Sequence, residues 1–257
     1  MDYQAIAEKL LTAEKQCIPI DPLTNVYPTM TVEDAYHIQL AIVEKKKTDK
    51  NKIIGKKIGL TSRAMQRLLN VNEPDYGHLL SNMLLLEGEP CVRKKLIWPR
   101  VEGELAFILK ERLQGPGITP SDVLRATEGI MPAFEIVDSR IRDWKIKLPD
   151  TVADNGSSAF LVLGSRMMPV KDLDLRLIGM VLEKNGEVVS TGAGAAVWGN
   201  PAASVAWLAN KLSDFGIALE AGEIILSGAL TAAEDANEGD VFSVSFDRLG
   251  TLSLKFV

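Results

Sequence analysis

Apolar positions in the first part of the chain recur at helical spacing. Ile6, Leu10 and Leu11 repeat in the opening segment, and Pro19, Pro22 and Pro28 then break the chain. Thr31 opens a second helix, TVEDAYHIQLAIVEKKK. Asp34 lies three residues on, a variant capping box, and Ala35, Ile38, Ala41 and Ile42 supply the apolar face. KTDKNK is a solvated turn. IIGKKIGL is a short apolar run interrupted by Gly55 and Gly59, SRAMQRLLNV predicts another short helix, and NEPDYGHL a loop. From about Leu84 the texture changes. LIWPR, EGELAFIL, AFEIVDSRI, SSAFLVLG, LIGMVLEKNGEVVSTG, EIILSG, FSVSF and TLSLKFV predict strands, with Asn185-Gly186 as a hairpin signal. Two helices interrupt them. ITPSDVLRATEGI has Ser121 or Thr119 as its cap. In NPAASVAWLANKLSDFG, Asn200 caps, Pro201 takes the first helical position and Gly216 ends the run.

The strand and helix alternation is too irregular for a doubly wound parallel sheet. The pattern predicts an α+β protein, with a helical N-terminal part over residues 1–80 and a mainly β part over residues 81–257. At 257 residues, 46% hydrophobic and 25% charged, the composition is that of an ordinary globular protein with room for a sizeable core. A net charge of −5 without a basic stripe argues against nucleic acid or an anionic membrane as partner. Cys17 and Cys91 are too few for a disulfide framework or a structural zinc site. The opening MDYQAIAEKLLTAEKQ lacks a signal-peptide pattern, and no stretch approaches the ~18 apolar residues of a membrane span, so the expectation is a soluble cytoplasmic protein.

Within PRVEGELAFIL, Glu102 and Glu104 sit two apart on an apolar strand and so share a face. Together with Glu135 in PAFEIVDSRI they could hold one hard cation such as Mg²⁺ or Mn²⁺, whereas a half-exposed strand would leave them facing water. Lys57, between two glycines, would have its pKa lowered by apolar surroundings, and Lys56 would face the other way. Two surface lysines beside a turn are the simpler alternative. Asp75 in NEPDYGHLL fits a turn aspartate bonding its own backbone. His37 and His78, the only histidines, do not build a catalytic triad. GAGAAVWG lacks dinucleotide-loop spacing, and Trp198 and Trp207 fit the core better than a stacking platform. DTVADNGSSAF offers Asn155, Ser157 and Ser158 as hydrogen-bond partners if it walls a site.

These pieces, in this order, resemble the 2-hydroxypenta-2,4-dienoate (2-oxopent-4-enoate) hydratases of meta-cleavage aromatic degradation and their sister 4-oxalocrotonate decarboxylases, within the fumarylacetoacetase-like superfamily. VEDAYHIQL, GKKIGLTSRAMQ, EPDYG, PRVEGELAFIL, GPGITPSDVLRATE, PAFEIVDSRIRDWKIKLPDTVADNGSS, EKNGEVVSTGAGAAV, VAWLANKL and GTLSLKFV carry the resemblance over nearly the whole chain. It implies a mixed β roll with a smaller helical N-terminal part, and a divalent metal, Mg²⁺ or Mn²⁺, on Glu102, Glu104 and Glu135. It implies Lys57 as a proton-transfer residue, Asp75 in the same site, and Thr61, Ser62, Asn155, Ser157 and Ser158 along the substrate. Gly156 departs from the alanine of the family's ADNAS segment. A pentameric or decameric homo-oligomer, and association with a decarboxylase paralogue, are also implied. Hydration of the dienol to 4-hydroxy-2-oxopentanoate is the expected reaction, and decarboxylation of 4-oxalocrotonate the alternative. Asp75 and RIRDWKIKLPDTVADN favour hydration. A non-catalytic acid-binding module would have less use for both Lys57 and Asp75.

Overall fold

The computed structural model describes residues 1–68 and 71–257. Helix α1 (Tyr3–Gln16) starts where the Asp2 side chain accepts from the Ala5 N–H. The short α2 (Leu23–Val26) leads to α3 (Val32–Lys46), which opens on the expected capping box of Thr31 and Asp34. β1 (Ile53–Gly59), α4 (Arg63–Leu68) and β2 (Asp75–Leu80) follow. The expected helix over SRAMQRLLNV is thus present as α4, while Leu69 and Asn70 lie outside the described residues. Then come β3 (Leu84–Leu85), β4 (Pro99–Leu109), α5 (Pro120–Ala126), β5 (Thr127–Asp138), α6 (Leu148–Ala153) and β6 (Ser158–Leu163). The chain closes with β7 (Met168–Pro169), β8 (Gly179–Lys184), β9 (Glu187–Ala193), α7 (Pro201–Ser213), β10 (Ile224–Ala229), β11 (Glu234–Asp235), β12 (Val241–Phe246) and β13 (Gly250–Lys255).

Nine strands form a mixed sheet whose main path is β2-β1-β10-β4-β5-β6-β3, with β11 on β4 and β7 on β5. The four-stranded sheet β13-β12-β8-β9 packs on one face of it. There Gly103 of β4 lies so close to Met180 and Val244 that a Cβ would collide with the Met180 sulfur. Leu105, Phe107, Phe134 and Ile136 join the small sheet and the helices in the main core. The other face of the same strands carries a second cluster, formed by Leu79, Leu80, Met83, Ala106, Ala133, Leu161 and Leu226. Because side chains alternate, Glu102, Glu104 and Glu135 fall on this second face, in line with Ala106 and Ala133. No helix among the described residues is long and apolar enough to cross a membrane.

The α+β expectation holds, with three corrections. The helical part ends before Ile53: β1 and β2 belong to the large sheet, so that sheet spans the expected division at residue 80. NEPDYGHL is not all loop, since from Asp75 it pairs antiparallel with β1 in register Gly59↔Asp75 and Lys57↔Gly77. Pro74 and Gly77 suggested a turn, but every residue of β2 is buried and tertiary pairing overrides local preference. Likewise α5, capped by Thr119 rather than Ser121, stops at Ala126, and TEGI enters β5. Asn185 and Gly186 both adopt positive φ, as the hairpin between β8 and β9 requires.

Lys56 is the further correction. Although it does face away from Lys57, it is not on the surface: 2% exposed, its Nζ lies 2.5 and 2.6 Å from the two Glu223 oxygens. Glu223 also accepts from the Glu220 N–H at 3.0 Å. Removing one partner of a buried pair strands the other charge. Lys56→Ala is therefore expected to lower stability by about 3 kcal/mol in urea titrations, and Lys56→Met with Glu223→Leu to recover most of that loss. A Lys56→Ala midpoint equal to wild type would show the pair to be solvated.

Candidate metal centre

The β4–β5 register sets the centre. Glu102 stands directly opposite Glu135, and Glu104 opposite Ala133, one pleat repeat along the same face. Ligand oxygens from the three glutamates lie within 4.8 Å of one another. Glu104 and Glu135 are fully buried, whereas Glu102 is half-buried at the rim. Glu104 Oε2 accepts from the Gly228 N–H at 2.8 Å, but its Oε1 has no hydrogen-bond partner among the described residues, and Glu135 has among them no close one beyond the Lys57 ammonium and the Ser158 hydroxyl that face it. A native core rarely leaves carboxylate oxygens so placed without a counterpart.

Charge explains the arrangement. Burial, then the neighbouring Glu135, pushes the Glu102 carboxyl up to about 7. Burial, then Glu135 and Glu102, raises Glu104 well above the usual carboxylate range. Burial also raises Glu135, against the pull of Lys57. Among the described residues, the ammonium that faces the cluster is that of Lys57, 3.4 Å from Glu135 Oε2. Here the expectation of a lowered lysine pKa fails. Burial does disfavour its charge, but Glu135, Asp75, Glu102 and Glu104 outweigh burial and raise it. The surroundings of its Nζ are acidic, not apolar. Three glutamates, if all ionised, against one ammonium would leave the interior short of positive charge. An all-oxygen donor set with unpartnered oxygens fits a hard divalent cation, so these residues are suited to hold one.

Asp75 joins this centre through the β1–β2 pairing. Gly59 lies opposite it, and a Cβ there would overlap Asp75 Oδ1 and stand 3.0 Å from Lys57 Nζ. The glycine thus leaves the space in which the carboxylate and the ammonium meet. Asp75 is 2% exposed, and its Oδ2 accepts from the Thr151 hydroxyl at 3.3 Å. Its Oδ1 has no hydrogen-bond partner among the described residues. Asp75 is not the self-bonded turn residue that its sequence context also allowed.

The five expected substrate contacts are placed differently from one another. Thr61 is buried against Gly228, whose N–H holds Glu104, so it borders the cluster. Ser62 is half-buried in the turn before α4. The Ser158 hydroxyl is buried and faces Glu135, whose charged form it favours, from a position paired with Val137, two residues along β5 from Glu135. Asn155 and Ser157 are otherwise engaged. The Asn155 amide accepts from the His78 N–H at 2.8 Å and donates to the His78 carbonyl at 2.9 Å. The Ser157 hydroxyl donates to Asp154 at 3.2 Å, beside the buried pair of Asp154 with Arg140. Sequence reasoning passed over Gln39, which donates to the Tyr76 and Val152 carbonyls at 2.8 Å each and meets His78 Nδ1 at 3.0 Å. Within an amphipathic helix nothing marks such a glutamine. Thr151 and Gly228 were also missed, since their roles depend on register rather than motif.

Residues 55–257 match the fumarylacetoacetate (FAA) hydrolase C-terminal family. The chain is 48% identical over 251 residues to a 2-hydroxyhexa-2,4-dienoate hydratase of Comamonas testosteroni, covering 97% of this chain and 95% of that protein. It is 51% identical over 214 residues to a 2-hydroxypent-2,4-dienoate hydratase of Pseudomonas putida, covering 83% and 96%. Among solved structures, a 4-oxalocrotonate decarboxylase from Pseudomonas putida G7, complexed with magnesium and adipate, superposes with a TM-score of 0.97 at 41% identity over 99% of this chain and 97% of that one.

The raised carboxyls set a pH dependence. Burial and the neighbouring glutamates raise folded Glu102 to about 7 from an ordinary 4.5 and raise Glu104 as well, so the folded metal-free protein holds protons that the unfolded chain has released. Stability contributed below pH 4.5 is lost as pH rises through about 7. Melting of EDTA-treated protein should therefore fall across this window, and saturating Mg²⁺ should flatten the slope. Glu104→Gln should raise the metal-free melting temperature at pH 8 while abolishing Mg²⁺ binding in calorimetry. A variant that still binds Mg²⁺ normally would remove Glu104 from the ligand set.

Proposed function

The chain belongs to the fumarylacetoacetate (FAA) hydrolase C-terminal family, and from that premise we propose that it is a metal-dependent hydratase of 2-hydroxypenta-2,4-dienoate, giving 4-hydroxy-2-oxopentanoate in meta-cleavage aromatic catabolism. The observation that carries the choice of hydration is Asp75, a buried carboxylate with one unpartnered oxygen beside Lys57. Identities of 48% and 51% to the two hydratases, against 43% and 44% to two 4-oxalocrotonate decarboxylases, support the same choice.

Glu102, Glu104 and Glu135 would hold the divalent ion, Mg²⁺ or Mn²⁺, which when bound supplies a Lewis acid that stabilises negative charge on the C2 oxygen of the substrate. Lys57, held as an ammonium, gives a proton to C5 and takes up the one released from the C2 hydroxyl, converting the dienol to the conjugated 2-oxopent-3-enoate. C4 is then electrophilic. Asp75 Oδ1 orients a water and takes its proton as the oxygen bonds to C4, and a proton returned to C3 completes the addition. The apolar wall of Leu79, Ala106, Ala133 and Leu161 on the same sheet face keeps bulk water from the intermediate. General base catalysis of this kind contributes about 10²–10⁴-fold.

Decarboxylation of 4-oxalocrotonate is the second reading, supported by the TM-score of 0.97 to the decarboxylase. It has no need of a water-activating base, and a carboxylate at Asp75 would repel the distal carboxylate of that substrate.

Asp75→Asn is expected to cut water addition by about 10²-fold or more while the dienol absorbance is still lost and an enone accumulates. CO₂ release from 4-oxalocrotonate outpacing hydration of the five-carbon dienol in the wild type would favour the second reading. Lys57→Ala should lower kcat by about 10²-fold or more, yet bind Mg²⁺ more tightly, because it removes the cation that competes for Glu135. Weaker Mg²⁺ binding in calorimetry would contradict that competition.

A further inference from the structure

Three successive residues beside the centre have left-handed backbone: Asn155 (φ 56), Gly156 (φ 61) and Ser157 (φ 53). Glycine takes this conformation freely, asparagine tolerates it and serine resists it, so a run of three persists only where its surroundings hold it. Beside the Ser157 bonds to Asp154, the Asn155 side chain ties this turn to β2. Among the described residues, β2 has a strand neighbour on one side only, β1. On β2 the His78 N–H and carbonyl are both taken by the Asn155 amide, at 2.8 and 2.9 Å. The side chain thus stands where a further strand would pair. The fit is close: a Cβ on Gly77 would overlap the Asn155 carbonyl, and Gly77 is the register partner of Lys57.

The product of this turn is a carbonyl aimed at Lys57. Gly156 O accepts from Lys57 Nζ at 3.3 Å, and a Cβ on Gly156 would stand 3.1 Å from Lys57 Cδ. Lys57 Nζ has Glu135 Oε2 as its other near partner, at 3.4 Å. Glu135 is also a cation ligand in the function proposed above, and a cation draws its charge away from the ammonium. The Gly156 carbonyl has no such second duty. It can hold the ammonium whether or not a cation is present.

We propose that Asn155 is a positioning residue: by bridging His78 it holds the left-handed turn whose Gly156 carbonyl anchors Lys57 for proton transfer. The inference rests on the reading of Lys57 as the proton carrier. It replaces the expectation that Asn155 touches substrate, since both ends of its amide are engaged.

The test uses the full chain with Asn155→Ala and with Asn155→Ser, which keeps a small polar group if the alanine variant does not fold. In metal-free protein, modification of Lys57 by an amine-reactive reagent, followed by mass spectrometry, should be about 10-fold faster in the variants. Mg²⁺ affinity by calorimetry should stay within about 2-fold. With the dienol, kcat should fall by about 10²-fold while KM stays within about 3-fold, the signature of a misplaced group rather than a lost contact. Unchanged labelling of Lys57 overturns the proposal, as does a rise in KM alone, which would make Asn155 a substrate contact. Failure of both variants to fold, or joint loss of Mg²⁺ affinity and kcat, would reduce Asn155 to a structural residue and also overturn it. Faster labelling with unchanged kcat upholds the anchoring and faults the assigned role of Lys57 instead.

Discussion

Negative charge crowded into a sheet interior governs the rest of the molecule. Glutamate oxygens within 4.8 Å of one another repel by at least about 3 kcal/mol per pair at an effective dielectric near 20. Three such pairs, if all ionised, approach the whole stability of an ordinary domain, about 5–15 kcal/mol. One lysine relieves part of this, and protons or a cation must relieve the remainder. The apolar residues that alternate with the glutamates keep that repulsion strong, because they exclude the water that would screen it. The affinity for a cation and the cost of lacking one therefore share a single origin.

The scaffold meets this demand by register rather than by flexible reach. Opposition of Glu102 and Glu135 fixes one edge of the oxygen triangle, and the pleat repeat between Glu102 and Glu104 fixes another. Backbone N–H groups and glycines do the finer placement: Gly228 holds Glu104, and Gly59 leaves the space for Asp75 beside Lys57. Behind them, Gln39, His78 and Asn155 tie α3, β2 and the turn after α6 into one buried polar network. Burial holds the His78 imidazole down to about 3, so it stays neutral and adds no charge to an interior already governed by charge.

Much of this was legible in the chain. Helix caps at Thr31 and Asn200, the Asn185-Gly186 hairpin and the E-x-E pair on an apolar strand follow from local rules, and the structure carries all four. What escaped was set by partners distant in sequence. Lys56 and Lys57 look alike as letters, and only Glu223, 167 residues away from Lys56, makes the first a buried ion pair. Asp75 read as part of a loop because Pro74 and Gly77 flank it, and only β1 makes it a strand residue. Asn155 was expected at the substrate by family resemblance, but its side-chain bonds to His78, 77 residues away, required coordinates.

The position of β10 has a consequence for how the protein is made. In the sheet it lies between β1, which it pairs in parallel, and β4, which it pairs antiparallel. In the chain it comes 165 residues after β1 ends, at Ile224–Ala229. Lys57 and the paired glutamates therefore sit on opposite sides of a strand that leaves the ribosome late. Until then β1 and β4 each present an open edge, a template for pairing with a wrong partner. Such a parallel, long-range closure is slow relative to local pairing. A chain truncated before residue 224 would carry every residue assigned here to chemistry except the strand that joins them, and should aggregate rather than fold.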